Sequence, residues 1–272
     1  MKSLLPLLTL GALLVSPMPL HAEITRTVEK TFTVQPGGNL RAGTEGGDIT
    51  IRSADINEVR IVATQVIHAA NDREADAILK RLMLTLDQKG NNVVAEAKYP
   101  SPPNGWSGNW PPVMVSFEIT LPRRFNLNLN TSGGEIAVTS VQGDVRANTS
   151  GGNLNFERVD GTIDGQTAGG NITLKNCKAR AKLTTSGGDI EIDPASGPTE
   201  ATTTGGDVRV RVAKGAGFEL DAATTGGEVS VEGLAITPTR GSVGDGVLVG
   251  RINGGGPPLR LRTTGGDISV RT

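Results

Sequence analysis

The sequence predicts an all-β protein, a parallel solenoid of stacked coils with one short helix in an N-terminal capping region. Three observations carry this expectation. A Gly-Gly doublet followed by Asp, Glu or Asn recurs along the chain, β-branched and apolar residues alternate between doublets, and two charge columns change sign from repeat to repeat.

The doublets begin at Gly46, Gly133, Gly151, Gly169, Gly187, Gly205, Gly226 and Gly265, and from Gly133 onward the spacings are 18, 18, 18, 18, 21 and 39 residues. A fixed period of this size marks a stacked repeat. Eight doublets hold sixteen of the 37 glycines in the 272 residues, so the repeat accounts for much of the glycine excess. Glycine and the 15 prolines together make up about a fifth of the chain, below the roughly 25–30% of low-complexity sequences. No Gly-X-Y register appears, which excludes collagen.

Residues 1–22 read as an export signal. Lys2 supplies the positive start, Leu4 to Val15 the apolar core, and Leu20-His21-Ala22 a cleavage site before Glu23. The apolar core is shorter than the roughly 20 residues of a spanning helix, and no later stretch is apolar enough to span. The mature chain is therefore expected outside the cytoplasm, in the periplasm, at the cell surface or free. Removing His21 leaves His68 alone, so multi-histidine metal sites are excluded and any Ser-His-Asp triad would need His68. Lys plus Arg number 27 and Asp plus Glu 28. No basic face speaks for nucleic acid.

Residues 23–132 form an N-terminal unit of first coils and cap. Between the first doublet and the regular array, Asn71 to Leu82 predicts a helix capped by Asn71 or Asp72, with Ala75, Ile78, Leu79 and Leu82 on one face. Strands are expected over 59–67, 84–88, 93–98 and 113–121, with a turn at Lys89-Gly90-Asn91-Asn92. The loop over residues 99–112 gathers Tyr99, Trp106 and Trp110 among prolines and glycines. These aromatics are the candidate binding residues, able to stack on sugars or anchor a partner if exposed, or to cover the cap if folded back.

Residues 133–232 form the regular array, each unit holding two short strands and two turns. Its interior columns are Ile136, Leu154, Ile172, Ile190, Val208, Val229 and Ile268, and Val138, Phe156, Leu174, Ile192, Val210, Val231 and Val270. No coil buries its apolar face alone, so stability comes from neighbours at about 25 cal/mol per Å². At position seven of the repeat, counting the first glycine as one, stand Glu157, Lys175, Asp193, Arg211, Glu232 and Arg271; at position fourteen stand Arg146, Asp164, Lys182 and Glu200. Alternating signs are expected where equivalent residues stack about 4.8 Å apart, each pair contributing roughly 0.2–1 kcal/mol. Cys177 aligns with Val141, Val159, Ala195 and Ala213 and reads as a small buried residue.

Residues 233–272 hold an irregular segment and the final coil. Val247-Leu248-Val249, the turn Asn253-Gly254-Gly255-Gly256 and Leu259-Arg260-Leu261 suggest a hairpin. No helix follows Thr272, so self-association through the C-terminal coil is an expectation.

The run TSGGEIAV…GDVRANTSGGNLNF, with TTSGGDIEI and TTTGGDVRV after it, resembles the DUF4097 family of adhesin-like bacterial proteins, related to head-GIN-type domains. The resemblance covers roughly residues 28–232, including Thr31 to Gly38 and the first doublet. It implies a right-handed β-helix in exported or envelope-associated proteins and brings no catalytic residues.

Two functions follow. The first is an exported, non-catalytic envelope protein, adhesin-like or a protein-interaction scaffold, whose partner is an envelope protein or a surface glycan. The alternative is a polysaccharide-acting β-helix enzyme using paired carboxylates from the acids after the doublets: Asp48, Glu135, Asp189, Asp207, Glu228 and Asp267. Asp189 and Asp207 lie one coil apart, near the roughly 5 Å separation of retaining glycosidases. Asn153 and Asn171 replace acids in that column, which fits turn-making instead. No cofactor is implied, since the repeat lacks the glycine spacing of calcium-binding nonapeptides.

Overall fold

A computed structural model describes residues 23–100 and 111–272; the export signal and the loop segment with Trp106 and Trp110 lie outside the described residues. The N-terminal region holds β1 (Glu23–Thr33), β2 (Gly38–Gly43), β3 (Ile49–Ala54), β4 (Glu58–His68), helix α1 (Asp72–Leu79), β5 (Met83–Lys89), β6 (Asn92–Lys98) and β7 (Val113–Pro122). The repeats form β8 (Phe125–Asn130), β9 (Ile136–Thr139), β10 (Val145–Asn148), β11 (Leu154–Glu157), β12 (Asp160–Gln166), β13 (Ile172–Lys175), β14 (Lys178–Thr184), β15 (Ile190–Ala195), β16 (Thr199–Thr202), β17 (Val208–Val212), β18 (Phe218–Ala223) and β19 (Val229–Glu232). The chain ends in β20 (Ile236–Gly241), β21 (Val247–Ile252), β22 (Pro258–Arg262) and β23 (Ile268–Arg271).

From β8 to β19 successive strands alternate between two sheets, and each strand from β8 to β15 pairs in parallel with the strand one repeat on. Ile136, Leu154, Ile172 and Ile190 are consecutive partners in the first sheet; Leu127, Val145 and Ile163 are partners in the second. Alternation along each strand sends one set of side chains inward, and both predicted interior columns are buried except Val231, which is partly so. Bulk is balanced across the core. Phe156 projects toward Gly165 of the opposite sheet, where an added Cβ would meet the ring at 3.2 Å.

The doublets are where coils touch most closely. A Cβ on the second glycine, as at Gly134, Gly152, Gly170, Gly188 or Gly206, would fall under 3.0 Å from the preceding coil's glycine carbonyl. The first glycine is looser: at Gly151 the nearest atom would be the Gly133 carbonyl oxygen at 3.6 Å. Two residues before each doublet stands a threonine whose hydroxyl bridges coils. The Thr149 hydroxyl donates to the Gly134 carbonyl at 3.0 Å and accepts from the Gly152 N–H at 3.2 Å. Thr131, Thr167, Thr185, Thr203, Thr224 and Thr263 repeat the pattern. Burying a hydroxyl is costly unless it is bonded, and these are bonded twice.

Stack order departs from chain order at both ends. β22 lies between β16 and β18, and β23 between β17 and β19, so the last coil is seated inside the stack. Likewise β2 pairs with both β6 and β8, and β3 with both β7 and β9. Two expectations are corrected. The turn at Asn253 to Gly256 does not close a hairpin, because β18 separates β21 from β22; β21 instead pairs antiparallel with β18 and β20. The C-terminal coil is not the open end of the stack, so self-association through it has no free strand edge to use. The outer strand there is β19, and residues 242–246 cover part of it: the Val229 N–H donates to the Asp245 carbonyl at 2.9 Å and the Gly244 N–H to the Val229 carbonyl at 2.8 Å. The outer strand of the second sheet, β20, carries Pro238 and a register break at Pro238/Arg240, both devices that blunt an edge.

The charge columns follow the stack. Arg146 pairs with Asp164 at 3.3 Å, and the register continues through Lys182 and Glu200 to Arg260 and Asp221, keeping the alternation through the inserted coil. In the other column Arg211 pairs with Asp193, but the insertion sets Arg271 next to Arg211 before Glu232, a like-charge step the sequence order concealed. Cys177 is buried as expected; its column, however, passes from Ala195 to Val212 and leaves Ala213 exposed, because the register shifts between Ile192 and Ala195.

The helix begins as predicted, with the Asn71 side chain accepting from the Glu74 N–H at 3.0 Å. It ends at Leu79 rather than Leu82, where Arg81 and Leu82 bond to the carbonyls three residues back. Ala75 is buried, and Ile78, Leu79 and Leu82 pack on the core at the N-terminal end. Among the described residues no helix is long and apolar enough to cross a membrane.

Candidate functional site

The outer face of the second sheet carries a trough of about 420 Å³ near its N-terminal end. It is built on β8, whose Phe-Asn-Leu-Asn-Leu-Asn sequence sends Phe125, Leu127 and Leu129 inward and Asn126, Asn128 and Asn130 outward. Asn39, Arg146, Thr162 and Asp164 from neighbouring strands, and Asp144 just before β10, also line it.

Its shape follows from the charges beside Asn128. Asn128 is the register partner of Arg41 on one side and Arg146 on the other. Arg41 is paired with Glu96 at 2.7 Å and Arg146 with Asp164 at 3.3 Å, each on the side away from Asn128. The short amide is therefore left at the bottom of a gap. The amides form ladders: Asn39 donates to Asn92 at 2.8 Å, Asn126 to Asn39 at 3.1 Å, and the Asp144 N–H to Asn126 at 3.0 Å. Asn130 donates to the Asn128 side-chain oxygen at 3.0 Å. Exposed ion pairs of this kind contribute little to stability, about 0–1 kcal/mol, while their geometry keeps the trough open.

The sequence drew attention elsewhere. Tyr99 is 5% exposed, its ring lies under the Arg81 guanidinium at 5.4 Å, and its N–H donates to Glu45 at 3.1 Å. It belongs to the core; Trp106 and Trp110 lie outside the described residues. The asparagine strip of β8 was visible in the sequence only as alternation. Nothing there showed that arginines flank Asn128, since Arg41 is 87 residues distant in the chain.

Of the acids after the doublets, Asp48, Asp189, Asp207 and Asp267 serve the coil junctions with their carboxylates, whereas Glu135 and Glu228 take part through their backbone N–H groups. Asn153 accepts from the Asn171 N–H, Asn171 from Asp189 and Asp189 from Asp207, each at 2.8 Å. Asp48 accepts from the Glu135 N–H at 2.8 Å, Asp207 from Asp267 at 2.8 Å and Asp267 from Glu228 at 3.0 Å. An amide and a carboxylate serve equally in this role, which is why both occur. The paired carboxylates of the enzyme alternative share a cation, as Arg209 donates to Asp189 at 2.7 Å and to Asp207 at 2.5 Å. The Arg209 hydrogen bond, followed by that from the Asp207 N–H, holds the Asp189 carboxyl below the usual range. A glycosidase's general acid needs the opposite shift. Cys177 is also unsuited to chemistry: burial pushes its thiol pKa up.

No curated protein matches the sequence. Among solved structures, the chain is similar to a candidate adhesin from Bacteroides fragilis (15% identity, TM-score 0.46, covering 90% of this chain and 96% of that one). It is similar also to a candidate adhesin from Parabacteroides merdae (12% identity, TM-score 0.39, covering 91% and 96%). A third is a candidate lipid-binding protein from Parabacteroides distasonis (11% identity, TM-score 0.40, covering 90% and 96%). The profile of one family, Toastrack DUF4097, matches residues 115–271. That span is more than half the chain and includes the threonine-glycine junctions of the stacked repeats; the protein belongs to the Toastrack DUF4097 family.

Proposed function

We propose that the protein is an exported, non-catalytic scaffold of the cell envelope, adhesin-like in that a face of its right-handed solenoid of roughly 18-residue coils binds a partner. The observation that carries this is the polar outer face of the second sheet with its preformed trough. The acids that would serve catalysis are tied to backbone N–H groups and to Arg209. The partner is an envelope protein or a surface glycan, met in the periplasm, at the surface or outside the cell, after residues 1–22 are removed. The loop with Trp106 and Trp110 is a second contact in this proposal, with buried Tyr99 anchoring its start.

Crosslinking in intact cells followed by fractionation tests the scaffold. An envelope fraction enriched in the crosslinked protein is expected. A purely cytoplasmic protein, or hydrolysis of a polysaccharide panel that is lost on Asp189→Asn, would overturn it.

A further inference from the structure

We infer that the trough over Asn128 is a binding site for an uncharged, hydroxyl-rich chain, a neutral glycan. This rests on the scaffold reading and names the ligand class of its face. A hydroxyl both donates and accepts, and the trough offers both functions within one gap. Donors come from the Asn128 amide, whose oxygen is already taken by Asn130, and from the Arg146 guanidinium, whose side chain is 64% exposed. The acceptor is the exposed Asp144 carboxylate, since both Asp164 oxygens are engaged by Arg146 and Gln166.

Charge selects among ligands. One arginine stands against two carboxylates in the lining, so an anionic sugar is repelled. A cationic group would leave the Asn128 and Arg146 donors without acceptors, at the cost of unmade hydrogen bonds. A multidentate metal is poorly served too, because among the described residues no group of three or more His, Cys, Asp or Glu is placed to hold one. The volume falls within the roughly 300–1,000 Å³ range of ligand sites. Strand pairing on both sides of β8 fixes the trough in advance, so little ordering accompanies binding.

The test is a glycan array carrying neutral and acidic oligosaccharides, probed with the full mature chain and two variants. Asn128→Trp fills the trough; Asp144→Ala removes an acceptor. Both sites are exposed, and unchanged thermal unfolding verifies that the variants fold. Neutral glycans are expected to bind, with signal reduced roughly 10- to 100-fold in each variant, as for lost hydrogen bonds to a charged or polar anchor. Absence of any neutral-glycan signal, binding of acidic glycans alone, or binding by both variants as strong as by the unaltered chain would overturn the assignment. A blank array with envelope crosslinks that persist in Asn128→Trp would remove the glycan while leaving the scaffold standing.

Discussion

Gly152→Ala and Gly151→Ala change adjacent residues by the same methyl group and are expected to have opposite consequences. The Gly152 methyl would fall under 3.0 Å from the Gly134 carbonyl, a backbone atom with no rotamer to give. The coils must part there, which strains the Thr149 hydroxyl bond to that same carbonyl, now 3.0 Å. Overpacking costs about 1–3 kcal/mol and a weakened buried hydrogen bond about 1 kcal/mol, so a loss of about 2–4 kcal/mol is expected. The Gly151 methyl meets nothing closer than 3.6 Å and no left-handed backbone is involved, so Ala is tolerated. Its effect on the unfolded chain makes it neutral or stabilising by about 0.4–1 kcal/mol. Urea unfolding followed by circular dichroism measures both, and hydrogen exchange at Leu154 and Ile172 localises the damage. Equal destabilisation by the two variants, or a greater loss at Gly151, would refute the assignment of close approach to the second glycine alone.

Thr185→Val keeps the shape of a residue that is 2% exposed but removes its bonds to the Gly170 carbonyl and Gly188 N–H. A loss of about 1–3 kcal/mol is expected, largely recovered by Thr185→Ser, in denaturant titrations. Arg260→Glu would face Glu200 and Asp221, its register partners; melting should fall by a few degrees at low salt, as expected for roughly 1 kcal/mol. Adding Glu200→Lys should restore part of it, whereas no coupling would contradict the inserted coil. Arg209 lowers the Asp189 pKa. The stabilisation is therefore full above the unfolded carboxylate value of about 4 and fades as pH falls through the lower folded value. Asp189→Asn should flatten the acid limb of melting temperature against pH below about pH 4, and an unchanged limb would exclude the coupling. Cys177 should resist a thiol reagent in the native protein and react on unfolding; rapid native labelling would show it accessible.

Much of the stack was legible because its constraints are local and repeated. The doublets gave the period, and the Ile136 and Val138 columns gave the interior, since both depend on spacing within one coil. The placement of the last coil was not legible. Val208, Val229 and Ile268 are interchangeable in an apolar column, so burial cannot tell which lies next to which. The spacings of 21 and 39 marked where regularity breaks without giving the order beyond it. Only Glu200, Arg260 and Asp221 hinted at it, because chain order would have set Glu200 beside Asp221. The trough was hidden for a related reason: Asn128 is unremarkable until Arg41 and Arg146 are brought to either side.

The threonines show a subtler miss. Thr-x-Gly-Gly stands at every doublet, yet a threonine in a β-rich chain reads as ordinary strand composition. Its role emerges only when the carbonyl it reaches is known to belong to the neighbouring coil.

Seating each terminal coil between two others also sets a timetable for assembly. β3 awaits β7 on one side and β9 on the other, and the gap between β17 and β19 is filled by Ile268–Arg271, which follows β19 in the chain with three other strands between. These ladders join residues far apart in sequence, which slows their closure. The stack thus cannot close one coil at a time in chain order, because β17 and β19 become neighbours of a common strand only when β23 arrives.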